Sequence, residues 1–98
     1  MTKLMTPVHP GEILKEEFMR PLSLSANALA RAVRVPPNRI SAIVNGERGL
    51  TADTALRLAK AFGTTPEFWL NLQKPYELDC ARDEATDIGR IEPLRARA

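Results

Sequence analysis

The chain has 98 residues, enough for one small core and too few for two. Its hydrophobic share of 44% and charged share of 27% are those of an ordinary globular protein, which excludes a disordered or membrane-embedded chain. Cys80 is the only cysteine and His9 the only histidine, so an internal disulfide and a cysteine-based metal site are both excluded.

Apolar residues recur at helical spacing and no stretch alternates for long, so the sequence predicts an all-α fold of five helices. The first runs from about Pro10 to Arg20: Pro10 suits the first helical position, Pro21 disfavours helical geometry at Arg20, and Leu14 and Phe18 share a buried face. Ser25 is a good N-cap for the second, with Leu24 and Leu29 at the spacing of a hydrophobic staple, and this helix ends near Val33. A turn over Arg34 to Pro36 leads to a third helix from Pro37 to about Asn45, closed by Asn45-Gly46, with Ile40 and Ile43 inward.

Thr51 caps the fourth helix, which runs to Phe62 and stops at Gly63; Ala55, Leu58, Ala59 and Phe62 form its apolar stripe. Thr65 and Pro66 open the fifth, which continues through Phe68, Trp69 and Leu72. Pro75 removes a bond to the carbonyl of Asn71, so a kink or restart is expected before Tyr76, with helix resuming to about Ala85. The expected organisation is an N-terminal arm over residues 1–7, a domain over 8–85 and a mobile polar tail over 86–98.

Charge is unevenly placed. Residues 20–65 carry Arg20, Arg31, Arg34, Arg39, Arg48, Arg57 and Lys60 against Glu47 and Asp53, a net of +5. Residues 66–85 carry Lys74 and Arg82 against Glu67, Glu77, Asp79, Asp83 and Glu84, a net of −3. A basic middle and an acidic end fit a polyanion on one face and a different partner elsewhere, or simply solvated helix faces.

Two short helices joined by a tight turn must cross steeply, with small or apolar residues at their contact. Ala30 suits the closest approach, Val35 plugs the turn, and Ile40 and Ile43 hold the third helix on the core. Its outward residues are short or polar, as a helix entering a DNA major groove requires. Pro37, Asn38, Ser41 and Ala42 are therefore candidate base-reading residues: an Asn pairs with adenine, and an Ala lies against a thymine methyl. Arg39, Asn45 and Arg48 lie nearer the edges of that face and are candidate phosphate contacts, together with the backbone amides of Ala26 and Asn27. A helical protein-interaction module with these polar residues merely solvated is the competing reading.

No nucleophile–base pair, placed carboxylate dyad or phosphate-binding glycine loop is present, so an enzyme is not expected, nor a small-molecule substrate. His9 with Glu12 falls short of a zinc ligand set, so neither a metal nor another cofactor is expected. With no apolar run long enough to span a bilayer and no secretory pattern in Met1–Val8, a cytoplasmic location away from membranes is expected.

Leu29-Ala30, Val35, Ile40, Ile43 and Asn45-Gly46 resemble the helix-turn-helix of lambda-repressor-like regulators of the Xre class. Three further stretches, His9-Pro10-Gly11-Glu12-Ile13-Leu14, Leu50 to Ala59 and Thr65 to Gln73, resemble the HigA antitoxins of bacterial toxin-antitoxin modules. That resemblance covers about residues 8–85. It implies a homodimer on a palindromic double-stranded DNA operator in its own promoter, and a HigB-type mRNA endonuclease as toxin partner. It also implies dimerisation through the C-terminal helix around Trp69, Leu72, Tyr76 and Leu78, with a core role for Trp69 as the alternative. A stand-alone Xre-family regulator without a toxin is the neighbouring reading.

Two positions depart from the pattern. Arg34 stands where the family places a glycine, and reaches left-handed geometry at a cost on the order of 1 kcal/mol. Pro36 replaces the usual Ser or Thr cap of the recognition helix and supplies no capping oxygen, while Pro37 is pre-organised for the first helical position.

Overall fold

A computed structural model describes residues 8–94, and every described regular element is helical. The expected arm over residues 1–7 lies outside the described residues, as do the last four positions of the expected tail.

Helix α1 begins at Pro10–Ile13, continues as a π-helical stretch over Leu14–Met19 and closes in a 3₁₀ turn at Arg20–Leu22. His9 is its N-cap: the ring Nδ1 accepts the Gly11 N–H at 2.8 Å, and Pro10 occupies the first turn, where no N–H is needed. The helix outruns its expected end at Arg20 because its hydrogen-bonding pattern changes ahead of Pro21. Arg20 N–H reaches back to the Lys15 carbonyl, Pro21 enters the tighter turn without needing a donor, and Ser23 ends the helix in left-handed geometry.

Helix α2 spans Ala26–Val33, capped by Ser25 Oγ on the Ala28 N–H at 3.0 Å. Helix α3 spans Pro37–Val44, and helix α4 spans Ala52–Phe62, with Thr51 as N-cap and Gly63 as a left-handed stop. All three occupy the segments that capping and periodicity predict.

Helix α5 runs unbroken over Pro66–Glu84, so the restart expected at Pro75 does not occur. Asn71 and Pro75 are both exposed, so the carbonyl that proline leaves unpaired lies on the side open to solvent. Beyond it, residues 86–94 are exposed and carry one 3₁₀ turn at Ile88–Arg90.

The core gathers Leu14, Leu29, Ala30, Ile40, Ile43, Ala55, Leu58 and Trp69, all essentially without solvent contact. Trp69 anchors its far end: Phe18 and Phe68 stand 4.8 and 5.0 Å from it between ring centres, and Phe62 packs on Phe18 at 5.1 Å. The indole N–H donates to Thr64 Oγ1 at 2.8 Å, so burying this ring strands no polar atom. All five helices thus share one aromatic and aliphatic centre, and α3 is held against it by Ile40 and Ile43 alone among its buried residues.

Candidate nucleic-acid interface

The turn between α2 and α3 is built from the backbone outward. Val35 N–H donates to the Ala30 carbonyl at 3.0 Å and Arg34 N–H to that of Arg31 at 3.3 Å, the paired bonds of a Schellman closure. That closure requires a left-handed residue, and Arg34 takes the role with φ 63° and ψ 50°. Arg57 of α4 supports it: its guanidinium donates to the Val33 carbonyl at 2.9 Å and to that of Arg34 at 3.4 Å. Val35 and Ala30 are both buried.

Pro36 caps α3 with extended geometry and no side-chain hydrogen bond, and Pro37 occupies the first turn. The helix ends in a second Schellman closure, with Glu47 N–H on the Ala42 carbonyl at 2.8 Å and Gly46 left-handed at φ 76°.

With Ile40 and Ile43 turned inward, Pro37 and Asn38 are exposed and Ser41 and Ala42 half-exposed. Ser41 Oγ donates only a long 3.5 Å bond to the Pro37 carbonyl, which leaves its lone pairs to an outside donor. Asn45 and Arg48 are exposed just beyond the helix. At the start of α2, Ser25 takes up the Ala28 N–H and the Leu29 N–H, so the amides of Ala26 and Asn27 precede the first bonds of the helix and point outward along its axis.

Arg39 is held more closely than the other candidate phosphate contacts. Its side chain is half-buried, with a terminal nitrogen 3.5 Å from Asp53 Oδ2, and Asp53 also holds Arg57 Nε at 2.9 Å. Arg39 Nε is buried without a hydrogen-bond partner. Arg39 therefore ties α3 to the first turn of α4 rather than standing open beside the reading face.

The four residues expected on the dimer face do not share one face. Trp69 is a core residue, 0% exposed, which resolves its two readings in favour of packing. Leu72 and Tyr76 follow it on the same side of α5 and are half-buried, Tyr76 edge-on to His9 at 4.8 Å. Leu78, nine residues and about two and a half turns beyond Trp69, lies across the helix and is 51% exposed, in an open groove with Lys74, Glu77 and Ala81.

Three contributors escaped the sequence reading. His9 accepts the Gly11 N–H on Nδ1, and burial pushes its pKa below the usual value. Gly11 lies against the backbone of α3 at Ile43, where any Cβ would collide. Gln73, buried on α5, accepts the Leu50 N–H at 2.7 Å and donates to Glu77 at the same distance. His-Pro as a cap followed by a first-turn proline was the legible signal for His9; the other two depend on contacts distant in sequence.

An exposed polar helix presented by a rigid two-helix corner, flanked by outward amides and a cation, defines a helix-turn-helix protein. The sequence profile of the helix-turn-helix family matches residues 14–69. Virulence-associated protein I of Dichelobacter nodosus is 50% identical over 94 residues, covering 96% of this chain and 87% of that one. Antitoxin HigA-1 of Vibrio cholerae is 49% identical over 89 residues, covering 90% and 84%. The solved structure of antitoxin GraA in complex with its operator superposes with a TM-score of 0.85 at 45% identity, covering 98% of this chain and 99% of that one. The chain belongs to the HigA antitoxin family of helix-turn-helix proteins. Among the described residues no helix is long and apolar enough to cross a membrane.

Proposed function

We propose that this chain is a cytoplasmic DNA-binding antitoxin that represses the operon encoding it and neutralises a HigB-type mRNA endonuclease. In this reading α3 lies in the major groove of a palindromic operator, with Pro37, Asn38, Ser41 and Ala42 toward base edges. Arg48, Asn45 and the amides of Ala26 and Asn27 hold phosphates, and a second copy of the chain occupies the other half-site.

The observation that carries the reading is the free outer face of α3, in a chain whose fold follows an operator-bound antitoxin over almost its whole length. In this reading the apolar part of the dimer surface lies on the Leu78 side of α5, supported by the exposure of Leu78 and the burial of Trp69 in the core. Dimerisation there places two α3 helices on one duplex, and half-site spacing follows from the dimer.

A gel-shift titration with the gene's own upstream DNA, with and without the neighbouring gene product, tests both halves. Binding that falls steeply with salt, and co-purification with a toxin that the chain silences, is the expected result. A flat salt response overturns the DNA reading; a neighbouring toxin that stays free and active overturns the antitoxin reading and leaves a stand-alone regulator.

A further inference from the structure

The segment between α3 and α4 carries Arg48 and has no helix of its own. Its backbone is nevertheless held by a side chain from outside it: the Leu50 N–H donates to Gln73 Oε1 at 2.7 Å, across 23 residues of chain. Gln73 is only 3% exposed, and its amide nitrogen is satisfied by Glu77 Oε2 at 2.7 Å, so the side chain is fixed at both ends. Gly49 makes room for it: a Cβ there would stand 2.5 Å from Gln73 Nε2. His9 rests on Tyr76, one turn along α5 from Gln73.

We infer that Gln73 is a positioning residue for DNA binding: by holding the Leu50 N–H it sets where the Arg48 guanidinium meets the phosphate backbone. The inference rests on the reading of Arg48 as a phosphate contact. A lysine or arginine on an unfixed loop gains a phosphate only after ordering its own backbone, and the Gln73 bond removes that cost before DNA arrives. The C-terminal helix thereby sets the grip of a DNA-contacting loop it does not belong to.

The test is a salt series of affinities for upstream and random DNA with Arg48→Ala, Gln73→Met, Gly49→Ala and the double variant Gln73→Met/Arg48→Ala. Arg48→Ala is expected to weaken both DNAs about tenfold and to lower the salt slope by about one. Gln73→Met keeps length without an acceptor and is expected to reproduce that loss of slope, with the double variant no weaker than Arg48→Ala alone. Gly49→Ala displaces the same amide from the loop side and gives the same result if Gln73→Met does not fold. A folded Gln73→Met or Gly49→Ala protein with the wild-type slope overturns the inference, as does full additivity in the double variant. An unchanged slope in Arg48→Ala overturns the Arg48 reading, and the inference falls with it.

Discussion

Gly11 of α1 and Ile43 of α3 meet backbone to backbone: a Cβ on Gly11 would overlap the Ile43 carbonyl oxygen and stand 2.6 Å from its carbon. The close approach brings the first turn of α1 under the C-terminal end of α3, so the pitch of the outward-facing helix depends on a residue with no side chain. Gly11→Ala is expected to cost about 2–3 kcal/mol, at the upper end for overpacking, because backbone rather than a flexible side chain must give way. A urea midpoint matching the parent protein would refute this. Since α3 must tilt to relieve the overlap, specific DNA affinity should fall further than non-specific affinity.

Arg34 and Arg57 act on the same turn in opposite directions. The left-handed backbone of Arg34 costs roughly 1–2 kcal/mol, while the Arg57 guanidinium offsets part of it by satisfying the Val33 and Arg34 carbonyls. Arg34→Gly removes the strain but gives the unfolded chain more freedom, so the net gain should be about 0.5–1 kcal/mol. Arg57→Ala should lose about 1–2 kcal/mol. Thermal melts of the two variants are expected to move in opposite directions; a lower melt for Arg34→Gly would refute the strain, and an unchanged or higher melt for Arg57→Ala would show that Arg57 does not support the turn.

His9 gives stability a pH dependence whose sign follows from its environment. Burial lowers its pKa in the folded protein below the ordinary 6.5, so the unfolded chain takes up the proton first. The contribution is fully present above the unfolded pKa and is lost as pH falls from there through the lower folded value. Protonation also removes the Nδ1 lone pair that accepts the Gly11 N–H. His9→Asn supplies a capping oxygen in place of Nδ1 and cannot titrate. Between pH 7.5 and 5.5, urea midpoints should fall more for the parent than for His9→Asn; equal declines would place the pH dependence elsewhere.

The helices were legible in the sequence because their ends are local. Ser25, Thr51 and Thr65 cap within three residues, and Gly63 stops α4 by its own conformation. Of the kink or restart expected at Pro75, the restart does not occur, because local chemistry predicts a lost bond without saying which side of the helix loses it, and the exposed side tolerates the loss. The outer face of α3 was readable by subtraction, once Ile40 and Ile43 were inward. The surroundings of Arg39 and Trp69 were not legible for one reason: each packs on a residue distant in sequence, Asp53 for one and Phe18 for the other. Gln73 carries no local signal of its role, since its partner Leu50 lies 23 residues away.

Asn38 and Arg48 separate base reading from phosphate holding. Asn38 is exposed in the first turn of α3, where an amide can donate and accept with one base edge; Arg48 lies past the helix on a loop whose backbone is fixed. Asn38→Ala should therefore cost about 1–3 kcal/mol on the preferred sequence and little on random DNA, which narrows the gap between them. Arg48→Ala should lower both affinities by the same factor and leave the gap intact. The measurement is the ratio of specific to random affinity at a fixed salt concentration, because a ratio taken across different salts mixes counterion release with recognition. Equal loss on both DNAs for Asn38→Ala would remove it from the reading face and leave Ser41 and Ala42, one turn further on, as the residues to substitute next.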